Sequence, residues 1–179
     1  SNLVLKFPNI GIIVKPKKLK KYSKIFTFST NLLIKKALNT NRFLILDKLG
    51  KYESSLSISL ISQITDLGIA YLHSGTSAIE SALSNTPTIL LDREGYPNSS
   101  LYFLSKDNLI FNSWVELLTS LEKYLITNKP SNFGNWDKSF LKELDPFNDN
   151  KTSERIGAFL YELITSIENG NSKDQALNN

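Results

Sequence analysis

Short apolar runs alternate with amphipathic stretches along most of the chain, and the alternation carries the first reading. Ile10-Gly11-Ile12-Ile13-Val14 is a β-branched run stopped by Lys15-Pro16, which predicts a buried strand entering a loop. From Ile25 to Leu38 apolar residues recur at helical spacing, and Phe43-Leu44-Ile45-Leu46 predicts a second strand. Past the Lys48-Leu49-Gly50-Lys51 turn, Leu56, Leu60, Ile61 and Ile64 fall on one face of a helix. Leu67 to Leu72 predicts a third strand, His73-Ser74-Gly75-Thr76-Ser77 a small-residue loop, and Ala78 to Leu83 a helix that stops at Asn85-Thr86-Pro87. Thr88 to Leu91 and Asn108 to Phe111 predict two more strands. Between Ser113 and Tyr124, Trp114, Leu117, Leu118 and Leu121 line the apolar side of another helix.

Strands that alternate with helices imply an α/β domain with a mainly parallel sheet. The strands are continuously apolar, which fits a sheet covered on both faces. On this pattern residues 1–127 form the core, residues 128–170 an ordered loop and C-terminal helix packing on it, and residues 171–179 a flexible tail. The loop, rich in Asn, Pro, Gly and Asp, carries Phe133, Trp136, Phe140 and Phe147 and holds a short helix near Lys138 to Leu144. Thr152 or Ser153 is expected to cap the long helix that follows, with Ile156, Phe159, Leu160, Leu163, Ile164 and Ile167 on its apolar side.

Composition narrows the chemistry. With 179 residues, 41% hydrophobic and 21% charged, the chain has the size and apolar content of one folded domain, and collagen-like or wholly disordered readings are excluded. The absence of cysteine removes disulfides, thiolate nucleophiles and zinc ribbons, and a single His73 leaves little for a histidine-rich metal centre, so no metal is expected. Much of the net charge of +4 sits in Lys15, Lys17, Lys18, Lys20, Lys21 and Lys24. Such a cluster reads as a solvated face or as a local site for phosphate or nucleic acid. No apolar run approaches the roughly 20 residues that span a bilayer, so a soluble, cytoplasmic protein is expected. Methionine is absent even at position 1, and the start at Ser1-Asn2 implies a piece of a longer protein whose active site it only partly holds.

Candidate chemistry concentrates in Tyr71-Leu72-His73-Ser74-Gly75-Thr76-Ser77-Ala78-Ile79-Glu80. Loops leaving the carboxyl ends of parallel strands line a ligand crevice, and a helix N-terminus there offers free N–H groups and partial positive charge. Gly75 would let a ligand approach the backbone, and Ser74, Thr76 and Ser77 add hydroxyls suited to phosphate. Glu80, one turn inside the helix, can accept from sugar hydroxyls. The bland alternative is a helix capped by Ser74 or Thr76, with Glu80 completing a capping box. Asp92-Arg93-Glu94-Gly95-Tyr96-Pro97 follows the fourth strand and faces the same crevice, so Arg93 either touches phosphate or donor sugar or forms an exposed pair with Glu94.

The segment Asp66 to Ile89 resembles the donor-binding segment of GT-B glycosyltransferases, especially bacterial enzymes that build surface or capsular polysaccharide. There a strand, a small-residue loop, a helix with an early glutamate and a small-Pro-apolar strand start follow one another. Ile13-Val14-Lys15-Pro16-Lys17-Lys18 is similar to the first strand and basic loop of such a domain, and Asp145-Pro146-Phe147-Asn148-Asp149 before Glu154-Arg155-Ile156-Gly157 to its ending. The resemblance implies a Rossmann-like parallel sheet flanked by helices, half of a GT-B fold, over roughly residues 9–167. Sugar 2-epimerases and glycerophosphate polymerases share the segment.

By that resemblance Ser74, Gly75, Thr76 and Ser77 hold the diphosphate of a nucleotide sugar, Glu80 binds its ribose, and Lys15 or Lys17 neutralises phosphate charge. His73 and Arg93 are the candidates nearest the reacting sugar. Stabilising the departing diphosphate is electrostatic work, which needs no cofactor beyond the donor substrate. Many retaining members carry a glutamate seven positions before the one matched by Glu80, where this chain has His73, so the stereochemical outcome stays open. The acceptor's general base comes from an N-terminal domain that this chain lacks, and the expected partners are a nucleotide sugar, a glycan acceptor and that domain, with peripheral contact at the inner face of a membrane. Whether the chain alone acts as an enzyme is left open.

Two readings from other classes stand beside this one. A nucleic-acid binder would use the lysine cluster with Tyr22, Phe26 and Phe28, although the last two sit in an apolar pattern expected to be core. A non-catalytic interaction domain would use the Phe133 to Phe147 segment. The sequence has no Gly-x-Ser-x-Gly elbow, Walker loop or Gly-x-Gly-x-x-Gly fingerprint.

Overall fold

Residues 2–16, 26–46, 56–96, 98–104, 109–127 and 132–177 are described by a computed structural model. They fall into two units, Ser1–Ile61 and Ser62–Asn179, where the sequence pattern implied a single core through residue 127.

The first unit holds α1 (Asn2–Lys6), β1 (Ile12–Val14), α2 (Phe28–Leu38) and β2 (Phe43–Ile45), with α3 (Ile58–Ser62) at its end. β1 and β2 pair in parallel, Ile12 opposite Phe43 and Val14 opposite Ile45. Val4, Ala37 and Phe43 are buried between them and are packed by Ile12, Val14, Ile34 and Ile45. A five-residue helix such as α1 is too short to hold itself together in water. Here Arg42 fixes the chain beyond it, its guanidinium donating to the carbonyls of Val4, Phe7 and Ile10, each at 2.9 Å. Two of these acceptors, in α1 and just past it, have no partner further along a helix of this length.

Two expectations fail in this unit. α2 starts at Phe28 with Thr27 as its cap, the Thr27 hydroxyl accepting from the Thr30 N–H at 3.3 Å. Phe28, expected in the core, is 86% exposed, because its first-turn position lies ahead of the packed stretch Ile34 to Ala37. The apolar stripe expected from Leu56 to Ile64 shrinks to the short α3, which buries Ile61 and leaves Leu56, Leu60 and Ile64 exposed.

In the second unit, β3 (Gly68–Tyr71), β4 (Thr88–Leu91) and β5 (Ile110–Phe111) form a parallel sheet in that order. Around it lie α4 (Thr76–Leu83), α5 (Trp114–Ile126), α6 (Lys138–Leu144), α7 (Thr152–Glu168) and α8 (Lys173–Leu177). The chain is therefore α/β with small parallel sheets flanked by helices, divided among the described residues into a two-stranded and a three-stranded ladder. All four residues of the central strand β4 are buried, as its continuous apolar run requires. The edge strand β3 departs from that rule: Ile69 and Tyr71 are about half exposed while the other two residues turn inward.

Gly68 is small for a packing reason. A Cβ there would lie 2.7 Å from Thr88 Oγ1 and 2.9 Å from Ser81 Oγ. Those hydroxyls belong to a buried chain in which Ser62 donates to Ser81 Oγ (2.9 Å), Thr86 to the Ser62 carbonyl (2.7 Å) and Thr88 to the Thr86 carbonyl (2.9 Å). No water is needed to satisfy them.

The core of this unit gathers Leu72, Ala78, Ala82, Leu90, Leu101, Leu109 and Trp136. Trp136 comes from the Asn-rich segment and does more than fill space. Its indole N–H donates to the Thr88 carbonyl at 2.7 Å, while the Thr88 N–H donates to the Gly134 carbonyl at 2.7 Å. Both main-chain groups at the start of β4 are thus bound by one strap. Gly134 sits at φ +73°, where a Cβ would come within 3.0 Å of the Thr88 nitrogen. Phe133 stacks on Tyr124 with ring centroids 4.6 Å apart.

α6 begins at Asp137, whose carboxylate accepts from the Ser139 N–H at 2.8 Å. At α7 the cap position is Lys151 and Thr152 is already helical, so neither Thr152 nor Ser153 caps the helix as expected. The Asp149 carboxylate accepts there instead, from the Lys151 N–H and from Arg155. None of the residues of α7 is buried, although the sequence pattern predicted packing on the core. Residues 173–177, expected as a tail, form α8 with Ala176 buried.

Candidate functional site

The site expected from the sequence lies at the carboxyl end of β3. The chain leaves Tyr71 in a 3-10 turn, Leu72–Ser74, and passes through Gly75 into α4. The predicted small-residue loop is therefore helical almost throughout. Gly75 has φ −54° and no side-chain cap stands at the helix start, which removes the capping-box alternative at that position. The reason first given for Gly75 also changes: a Cβ there would lie 2.5 Å from Leu101 Cδ1, so the residue is small to admit Leu101.

What faces solvent is the outer side of this turn. Thr76 and Glu80, one helical turn apart, are both exposed, Ser77 is half-buried, and Ala78 between them is fully buried. The N-terminal end of α4 carries the partial positive charge that sequence reasoning assigned to phosphate. Ser74 lies in the preceding turn. Lys15 follows β1 in the first unit, and Lys17, with the rest of the lysine cluster, lies outside the described residues.

The loop after β4 comes to the same edge of the sheet. His73 Nδ1 lies 3.8 Å from Glu94 Oε2, with side chains 74% and 71% exposed. Glu94 thus faces His73, and Arg93 is exposed on the same loop. At such exposure the pair contributes little to stability, but it fixes which two loops meet.

Sequence reasoning passed over what holds that loop. Asp92 is only 4% exposed, and its carboxylate accepts from the N–H groups of Glu94 (3.2 Å), Gly95 (3.0 Å) and Tyr96 (2.8 Å) and from the Tyr102 hydroxyl. Burial by itself raises the Asp92 carboxyl. The bonds from Tyr102 and from the three N–H groups outweigh burial and hold it below the usual carboxylate value. Tyr102 is pushed up to about 12, first by the bond it donates to Asp92, then by burial and by the Asp92 charge. The signal available in the sequence was an Asp at a strand end followed by Gly three residues later, the composition of a side-chain-anchored turn.

Beside this edge, Tyr71 and Trp114 meet edge to face with centroids 6.2 Å apart and planes at 89°. With Ile69, Ala70 and Leu91 they line an apolar hollow of about 60 Å³. That is well under the roughly 150 Å³ in which a buried cavity holds benzene, so the hollow does not take a whole nucleobase as it stands. Among the described residues no three His, Cys, Asp or Glu side chains converge as metal ligands, and no helix is long and apolar enough to cross a membrane. In comparisons with known proteins the chain matches no family model, no curated protein and no solved structure.

Proposed function

We infer that the second unit is the nucleotide-sugar-binding half of a glycosyltransferase of the GT-B kind, working in bacterial polysaccharide or glycan synthesis. One observation carries the reading. The two loops selected by the sequence meet at the carboxyl edge of a parallel sheet, with His73 3.8 Å from Glu94, and leave Thr76, Glu80 and Arg93 exposed beside a helix N-terminus. In this reading the start of α4 takes the diphosphate, Glu80 accepts from the ribose hydroxyls, and Arg93 and His73 stabilise charge on the leaving group. A second domain supplies the acceptor and its general base.

The test is a thermal-shift titration against nucleoside mono- and diphosphates. One base's diphosphate raises the melting temperature, and the rise disappears in Thr76→Ala and Glu80→Ala. Both residues are exposed, so neither substitution shifts the unliganded melting point appreciably. Absence of any shift at millimolar diphosphate overturns the reading for this chain.

A further inference from the structure

α7 runs for 17 residues without burying one of them, yet it is not polar. At 100° per residue Ile156, Phe159, Leu160, Leu163, Ile164 and Ile167 fall in a single stripe. Ile156, Phe159, Leu160, Ile164 and Ile167 are 55%, 51%, 46%, 55% and 45% exposed. Ile156, Leu160, Leu163 and Ile167 alternate spacings of four and three, the seam of a helix that pairs with another helix.

The order of that stripe reads the same in both directions. About the midpoint between Tyr161 and Glu162, Ile156 maps onto Ile167, Phe159 onto Ile164 and Leu160 onto Leu163. The same reflection maps Arg155 onto Glu168, a positive charge onto a negative one. We propose that α7 is a self-association surface, on which a second copy of this chain lays its own α7 antiparallel about a two-fold axis at that midpoint. The axis then sets every stripe residue against an apolar partner and forms the Arg155–Glu168 contact twice, once at each end, as an isologous interface requires.

Charge selects both the occupant and the direction. A parallel pair would place Arg155 beside Arg155 and align Glu154, Glu162 and Glu168 with their own counterparts, and it would also align the two helix dipoles unfavourably. A membrane surface is a poorer match: helices that lie on anionic lipid carry Lys and Arg along the polar face, whereas α7 has three glutamates against Arg155. Arg155 is also set in place beforehand, its Nη1 donating to Asp149 at 2.8 and 3.0 Å and its guanidinium lying 4.1 Å from the centroid of Phe147. A side chain ordered in advance loses less freedom on pairing.

Sedimentation of the 179-residue chain over roughly 1 to 100 µM tests the proposal, since dimer weight then rises with concentration by mass action. Leu160→Glu is expected to yield a monomer with an unchanged helical spectrum. Arg155→Glu and Glu168→Arg each turn two attractions into two repulsions, weakening the dimer about tenfold or more. Mixing those two variants in equal amounts restores a tight heterodimer. The carboxylate introduced at position 155 of one chain meets the guanidinium introduced at position 168 of the other only in the antiparallel arrangement. A chain that stays monomeric, a dimer indifferent to Leu160→Glu, or a mixture no tighter than its components overturns the proposal.

Discussion

The Tyr102 hydroxyl donates to the buried Asp92 carboxylate, joining the 3-10 turn at Ser100–Leu104 to the loop that carries Arg93 and Glu94. Tyr102→Phe removes one of four donors to that carboxylate and nothing of comparable volume. The expected cost is about 1–3 kcal/mol, the penalty for leaving part of a buried acceptor unsatisfied, read from the urea midpoint.

The same pair gives stability a pH signature with two signs. The folded state lowers the Asp92 pKa from 3.8, so its contribution is present above that value and is lost as pH falls through the lowered one. Tyr102 is raised from 10.0 to about 12, so its contribution is full below pH 10.0 and disappears as pH climbs toward about 12. Melting temperature followed from neutral to alkaline pH should fall more steeply in the parent chain than in Tyr102→Phe.

Trp136→Phe keeps most of the ring and deletes the donor to the Thr88 carbonyl. The orphaned carbonyl and the lost indole volume together should cost about 2–4 kcal/mol, and Gly134→Ala should be comparably damaging because its backbone sits at φ +73° against Thr88. Denaturant unfolding monitored by circular dichroism separates these from the exposed substitution Lys142→Ala, which should change little.

Arg42→Met retains much of the stem and removes three bonds to main-chain carbonyls. A loss of about 2 kcal/mol or more is expected for the first unit, with early amide exchange at Phe7 and Ile12 as the local readout. Arg42→Lys should recover only part of it, since one ammonium cannot span three carbonyls in the plane of a guanidinium fork.

The strands were legible because apolar runs bounded by Pro, Gly and Asn have few other uses. All five predicted strands contain an observed one, and α6 appears at its predicted residues. The misses share a cause. Thr76 and the residues before it were read as loop because small polar residues favour turns, yet the packing of Leu101 on Gly75 makes helix the better local solution. Phe28 and the stripe of α7 were placed inside because periodicity says which side of a helix is apolar and not what covers it. Asp92 went unremarked because its role comes from Tyr102, ten residues away, and from three N–H groups whose direction depends on the turn itself.

The bond from Trp136 to Thr88 closes a span of 48 residues, and it satisfies the first carbonyl of the most buried strand in its unit. During synthesis, β4 leaves the ribosome long before the residue that completes it. Until Trp136 follows, Thr88 has neither its donor nor its acceptor, and the nascent second unit remains unfinished at its centre. A transcript truncated anywhere before that tryptophan would therefore yield a chain prone to aggregate or to be degraded, even with every strand of the sheet already translated.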